Sequence, residues 1–291
     1  MTTLPQILLL AAALAPAALC AQVVIPPPTV ALSYGSDAFV APEGGTAAAV
    51  LSGNATSGTP GTGVNYTTPF TGFTSTASRI TYTSDSVSAD YTLSLWLKNP
   101  GNNTANNIFV NGSTGTSNRP LQVWVGADNI EGHEGERQVF VGFHGYTGSS
   151  ILSFNSDYIE WKADTWYQLA LVFNNNSPSS KDSITVYLTE KGATTIGTPI
   201  INVTTDVSRS STNTATWAFG GVAQGYYGAI EPSGYFGGQI DDIKLWKGVL
   251  LSADQLSANL ATAPVPEPAT AALLLGGVLL LGATLLRRTR R

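Results

Sequence analysis

"GGQIDDIKLWKGVLLSADQL", Gly237 to Leu256, is the stretch on which the fold reading turns. Its first half alternates. Ile243 and Leu245 share one parity, which predicts a half-buried strand over Gly238 to Trp246. Asp241 has the same parity, so its carboxylate is expected on the core side near a strand end. A charge buried there must be neutralised or fully hydrogen-bonded. Asp242 takes the opposite parity and is expected to be the more exposed of the two. The second half changes period. Ser252 followed by Gln255 is a capping box, and Leu256 and Leu260 then fall on one face of a helix of about two turns.

Upstream, the same period of two recurs. "YTLSLWLK" (Tyr91 to Lys98) puts Tyr91, Leu93, Leu95 and Leu97 on one face and Thr92, Ser94, Trp96 and Lys98 on the other. "LQVWV" aligns Leu121, Val123 and Val125, "QVFVGF" aligns Val139, Val141 and Phe143, and "SITVYLTE" aligns Ile184, Val186 and Leu188. "WYQLALVF" (Trp166 to Phe173) is apolar on both parities, as a central strand between layers should be. "GNATSGTPGTGVNYTTP" (Gly53 to Pro69) reads as loop with little regular structure. Strands separated by Gly, Asn, Ser and Pro clusters predict an all-β, two-sheet antiparallel sandwich.

Three segments carry a family likeness. "DYTLSLWLKNP", "TWYQLALVFN" and "GGQIDDIKLWKGVLLSADQL" resemble the laminin-G-like branch of the concanavalin A-like lectin/glucanase superfamily. The likeness implies a jelly-roll of two curved antiparallel sheets over residues 29–262. It also implies a structural calcium at an aspartate in the position of Asp241, since calcium takes hard oxygen ligands from scattered loops. The alternative for Asp241 is a carboxylate accepting backbone N–H bonds at a sheet corner.

The candidate sites are few. "NIEGHEGER" (Asn129 to Arg137) crowds Glu131, His133, Glu134 and Glu136 between two predicted strands. Paired carboxylates serve glycoside hydrolysis, and His133 with the glutamates offers metal ligands. However, the segment lacks the acid–hydrophobe–Asp–hydrophobe–acid spacing of the glucanase relatives, and its glycines predict a solvated hairpin tip. His144 is the only other histidine, so a Ser-His-Asp triad has little to build on. No nucleophile elbow, P-loop or dinucleotide fingerprint is present in a strand–helix context. The expectation is therefore a non-enzyme. Six tryptophans (Trp96, Trp124, Trp161, Trp166, Trp217 and Trp246) offer aromatic faces suited to the C–H side of a sugar ring. Trp96 and Trp124 stand on the polar parity of their strands, which makes them the preferred carbohydrate-binding candidates. The glycine- and tyrosine-rich run Gly220 to Gly238 is a further candidate surface.

Outside this body lie two apolar ends. "ILLLAAALAPAAL" (Ile7 to Leu19) has signal-peptide length, and a small-residue boundary follows, so residues 1–21 are read as a secretory signal. Cys20 is the single cysteine, and Leu19 before it departs from a lipobox. At the other end, Ala269 to Leu286 carries no charge and at 1.5 Å per residue reaches about 27 Å, enough to cross a bilayer. Arg287, Arg288, Arg290 and Arg291 behind it would stay cytoplasmic. Those four are a large share of the 14 Lys and Arg set against 19 Asp and Glu, so the body between the ends is acidic and nucleic acid is not an expected partner. Pro266 and Pro268 bias their preceding residues toward extended backbone and hold Glu267 in a form a protease can engage.

"VPEPA", an apolar span and "RRTRR", in that order, resemble the PEP-CTERM sorting signal of Gram-negative bacteria. In that resemblance Val265, Pro266, Glu267 and Pro268 are the sorting motif, 269–286 the transmembrane helix and 287–291 the basic tail of a 264–291 signal. It implies recognition by the membrane protease exosortase, a bacterium with an exopolysaccharide system, and transit from membrane anchorage to the cell surface or extracellular matrix. Taken together, the readings predict an exported surface protein with a lectin-like jelly-roll for adhesion or carbohydrate binding. Two alternatives are an envelope protein that binds no sugar and a divergent glycoside hydrolase.

Overall fold

The computed structural model of the chain describes residues 23–32, 50–52, 54–58, 70–71, 79–84, 90–98, 101, 106–112, 121–126, 130–144, 151–175, 182–205, 215–221 and 235–260. The proposed signal peptide, the sorting tail and most of the Gly220–Gly238 run lie outside them. In chain order the strands are β1 (Val30–Leu32), β2 (Val50–Ser52), β3 (Thr56–Ser57), β4 (Phe70–Thr71), β5 (Arg79–Ser84) and β6 (Tyr91–Lys98). There follow β7 (Asn106–Gly112), β8 (Leu121–Val125), β9 (Glu136–Arg137), β10 (Val139–His144), β11 (Ile151–Asn155) and β12 (Ile159–Glu160). The last are β13 (Trp166–Asn174), β14 (Ser183–Glu190), β15 (Ile201–Thr204), β16 (Ala215–Phe219) and β17 (Gln239–Lys247), before the helix α1 (Ala253–Leu260).

Two antiparallel sheets dominate. One has eight strands in the order β15-β14-β13-β6-β17-β4-β3, with β1 also paired to β17, and the other seven in the order β11-β10-β8-β7-β16-β5-β2. The pairing of strands distant in sequence, such as β6 with β17, is the crossover pattern of a jelly-roll sandwich. Alternation places the inner faces as the sequence predicts: Leu93, Leu95 and Leu97 of one sheet share a core with Leu121, Val123 and Val125 of the other. Aromatic rings tie the two sheets. Tyr91 of β6 stacks on Phe173 with centroids 5.1 Å apart and meets the edge of Trp217, from the opposite sheet, at 5.1 Å and 84°. Between Gly53 and Pro69, where loop is expected, Thr56–Ser57 forms a short strand against Phe70–Thr71.

The outer face of the eight-stranded sheet is also covered. The polar parity of "YTLSLWLK" is buried as well, because the segment after β17 returns across it. Thr92 Oγ1 donates to the Val249 carbonyl and accepts from the Leu251 N–H, both at 2.9 Å. Ser94 Oγ accepts from Asn259 Nδ2 at 3.2 Å, and Lys244 Nζ donates to Asn259 Oδ1 at 3.2 Å. Leu256 and Leu260 face the sheet, joining a second apolar layer with Ala170, Ile196, Trp246 and Leu251. The chain near Val24 closes the other side: Trp246 Nε1 donates to the Pro26 carbonyl at 2.7 Å.

The capping box is formed in full. Ser252 N–H donates to Gln255 Oε1 at 3.0 Å and Gln255 N–H to Ser252 Oγ at 3.2 Å. A two-turn helix is marginal alone, so this cap and the buried leucine row together fix α1. Ser252→Ala is expected to cost about 1 kcal/mol, read as a lowered urea midpoint at unchanged slope. Among the described residues no helix is long and apolar enough to cross a membrane; Ala269 to Leu286 lies outside them.

Candidate functional site

The bulge in β17 decides where Asp241 points. Asp241 pairs with Trp96, but the next regular pair is Lys244 with Ser94, so Asp242 and Ile243 together oppose one residue of β6. Asp242 takes φ 45°, the left-handed conformation that an aspartate tolerates at a bulge. The extra residue reverses the parity. Ile240, Ile243 and Leu245 face the core, whereas Asp241 shares the outer face with Trp96. The core-side placement expected from strict alternation is thereby corrected. Asp241 is still fully buried, at 0% exposure, and its Oδ1 accepts the Asp242 N–H at 2.8 Å. Asp242 is the more exposed neighbour, and its carboxylate meets Lys244 Nζ at 2.8 Å. An ammonium in that position competes with a bound cation. Among the described residues no group of three or more His, Cys, Asp or Glu is placed to hold a metal. Calcium also takes backbone and amide carbonyls, so Asp241 and Asp242 are the carboxylates this corner offers.

Residues 130–137 of the "NIEGHEGER" segment form turns and the short strand β9 between β8 and β10. Glu136–Arg137 pairs with Ile159–Glu160 as a small second ribbon. His133 Nδ1 lies 2.8 Å from Glu136 Oε2, and its ring stacks on Tyr158 with centroids 3.6 Å apart. Glu131 and Glu134 are exposed. The N–H groups of Glu134 itself and of Gly132 hold the Glu134 carboxyl below its ordinary range. His144 ends β10.

The two preferred tryptophans are placed on opposite sides of the sandwich. Leu95 and Leu97 flank Trp96, Val123 and Val125 flank Trp124, and all four flanking residues are in the shared core. Trp96 and Trp124 therefore project from opposite outer faces and cannot clamp one ligand together. Neither is open: Trp96 is 4% and Trp124 6% exposed. Trp124 stacks on Phe140 at 5.3 Å and 7°, and a Cβ at Gly126 would come within 3.0 Å of the Phe140 ring. In β11, the exposed Asn155 lies opposite Phe140 and the exposed Ser153 opposite Gly142. Trp96 packs with Trp166 and Leu260.

Beside Trp96 runs a row of buried polar side chains. Gln168 lies opposite Trp96 on one side and opposite Thr189 on the other. Gln168 is 1% and Thr189 6% exposed, yet Gln168 Nε2, Gln168 Oε1 and Thr189 Oγ1 have no hydrogen-bond partner. Each such group left unpaired costs about 1–3 kcal/mol. The signal was present: Gln168 is the one amide side chain inside the doubly apolar run "WYQLALVF".

At the adjoining corner, Lys98 pairs with Asp164 at 3.2 Å and Lys162 with Glu190 at 2.9 Å. The Glu190 hydrogen bond raises the Lys162 pKa. Burial, first among its causes, raises that of Tyr167, whose hydroxyl accepts the Lys162 N–H at 3.0 Å. The folded state thus holds the phenolic proton more tightly than the unfolded chain. That contribution is complete below the unfolded value of about 10 and is lost as pH rises through the folded one. Tyr167→Phe is expected to flatten the alkaline fall in stability relative to wild type, checked by urea midpoints from neutral to alkaline pH.

No family model and no curated protein matches the chain. Solved structures do. Domain 4 of AbnA, a GH43 extracellular arabinanase from Geobacillus stearothermophilus, in complex with arabinotriose, superposes with a TM-score of 0.52 at 17% identity, over 82% of this chain and 100% of that one. The binding domain of botulinum neurotoxin serotype D/C superposes with a TM-score of 0.53 at 11% identity, over 82% of this chain and 52% of that one. The chain therefore spans about half of that domain's length, the 52% covered. What is shared is the antiparallel jelly-roll sandwich.

Proposed function

We propose that the chain is an exported bacterial surface or matrix protein whose jelly-roll makes non-catalytic contact with carbohydrate. Residues 1–21 direct export. The 264–291 tail, with Val265 to Pro268 as motif, holds the protein in the membrane with its C terminus cytoplasmic until an exosortase sorts it to the surface. The observation that carries the carbohydrate reading is the fold. Most of this chain matches the whole of an arabinanase domain solved with a bound arabinotriose. A purely structural envelope role is the second reading, favoured by the burial of Trp96 and Trp124.

One preparation tests both readings. The full chain is applied to a glycan array and, in parallel, incubated with the same glycans and assayed for reducing ends. Saturable binding without new reducing ends is expected. Absence of binding would leave the structural role, and reducing ends lost on changing a named glutamate would revive a hydrolase. Sorting is tested by mass spectrometry of surface material from an exosortase-bearing host. A C terminus near Pro266 to Pro268 is expected, and an intact Arg291 overturns processing.

A further inference from the structure

We infer that the outer face of the eight-stranded sheet contains a subsite for a neutral saccharide unit, built from Gln168, Thr189, Trp96 and Trp166. The inference rests on the carbohydrate reading above and gives it a location.

The first support is an internal contrast on one surface. The outer-facing polar side chains nearer the start of β6 are matched to the segment lying over them: Thr92 makes two hydrogen bonds and Ser94 one to Asn259. The next row is not matched. Gln168 and Thr189 face each other across β13 and β14 with three buried polar atoms unpartnered. A sheet face that exists only to pack α1 would place apolar groups here, as it does at Ala170 and Val172.

The second support is chemistry. A carboxamide and a hydroxyl offer two donors, an acceptor and one group that does both, all uncharged. This set suits adjacent sugar hydroxyls, which also donate and accept. A phosphate or carboxylate would call for a free cation, and Lys98, opposite Trp166, is already paired with Asp164. Trp96 stands directly opposite Gln168, and Trp166 lies two residues before it on the same face. Indole rings supply the apolar wall that the C–H side of a sugar ring takes, and a few convergent polar groups against such a wall are the usual make-up of a small-molecule site. Leu260, the last residue of α1, packs against the Trp96–Trp166 pair, so entry of a ligand displaces Leu260 or an indole. Either movement changes tryptophan emission.

The test titrates the full chain with arabinotriose, cellotriose and tri-N-acetylglucosamine, following tryptophan fluorescence, in wild type, Gln168→Met and Thr189→Val. Both substitutions keep shape and remove the unpartnered atoms. Saturable binding of at least one probe by wild type is expected. It should weaken about tenfold or more in each variant, with a thermal midpoint equal to or above that of wild type. Wild-type affinity retained in both variants would place the sugar elsewhere, overturning the subsite while leaving the carbohydrate reading intact. No binding of any probe by wild type, with array binding also absent, would overturn both. Hydrogen exchange on wild type alone covers a variant that does not fold. The bound probe should slow exchange of the β13 and β14 amides around Gln168 and Thr189, and protection confined to β8, β10 and β11 would overturn the assignment.

Discussion

Trp217→Ala is expected to lower stability by about 3–5 kcal/mol, the largest loss of any single substitution considered. Trp217 is among the largest fully buried side chains, and it belongs to the seven-stranded sheet. Its ring meets Tyr91 of the other sheet edge-on and lies 6.2 Å from Phe109 at 17°. Tyr91 in turn stacks on Phe173. Truncation therefore leaves a cavity at the junction of both layers and removes aromatic contacts worth about 0.5–1.5 kcal/mol beyond area. Because the cavity is shared by the two sheets, they should still melt as one unit. The urea midpoint should fall at unchanged slope. A loss below about 1 kcal/mol would be that of a surface site and would mean that the sheets are not joined through this ring.

What the sequence discloses about this molecule follows from the range over which each signal acts. The capping box at Ser252 and Gln255 is decided within four residues, and it forms as read. Strand alternation is decided within eight, and the inner faces of β6, β8 and β14 follow it. The identity of the outer face is not local. Alternation sets Thr92, Ser94 and Trp96 on one face, but nothing within β6 reveals that residues 249–260 will lie over them. Asp241 departs from strict alternation for a related reason: a single bulge residue, Asp242, reverses parity, and the bulge arises in pairing with a strand some 150 residues away. Trp124 stands on the polar parity of β8, yet Phe140 reaches it through strand register and stacks on it. Gln168 was legible as an anomaly, a lone amide in an apolar run. Its meaning became visible only once Thr189 and Trp96 stood on either side of it.

Leu256→Ala is expected to cost about 2–5 kcal/mol, but by a different route from Trp217→Ala. Leu256 is fully buried and anchors α1 on Ala170, Trp246 and Leu251. Eight residues of helix have little stability without that face. The loss should therefore appear first as local detachment of α1, ahead of global unfolding. Amides of 253–260 should exchange faster than in wild type while those of β8 and β10 are unchanged under native conditions. Detachment would also free Asn259 from Ser94 and lift Leu260 from Trp96 and Trp166. Acrylamide should then quench tryptophan emission more strongly before the urea transition begins. A single cooperative transition with no rise in quenching would show that α1 and the sandwich unfold together. Leu260 would then be a fixed wall against Trp96 and Trp166 rather than a part that can move aside for a ligand.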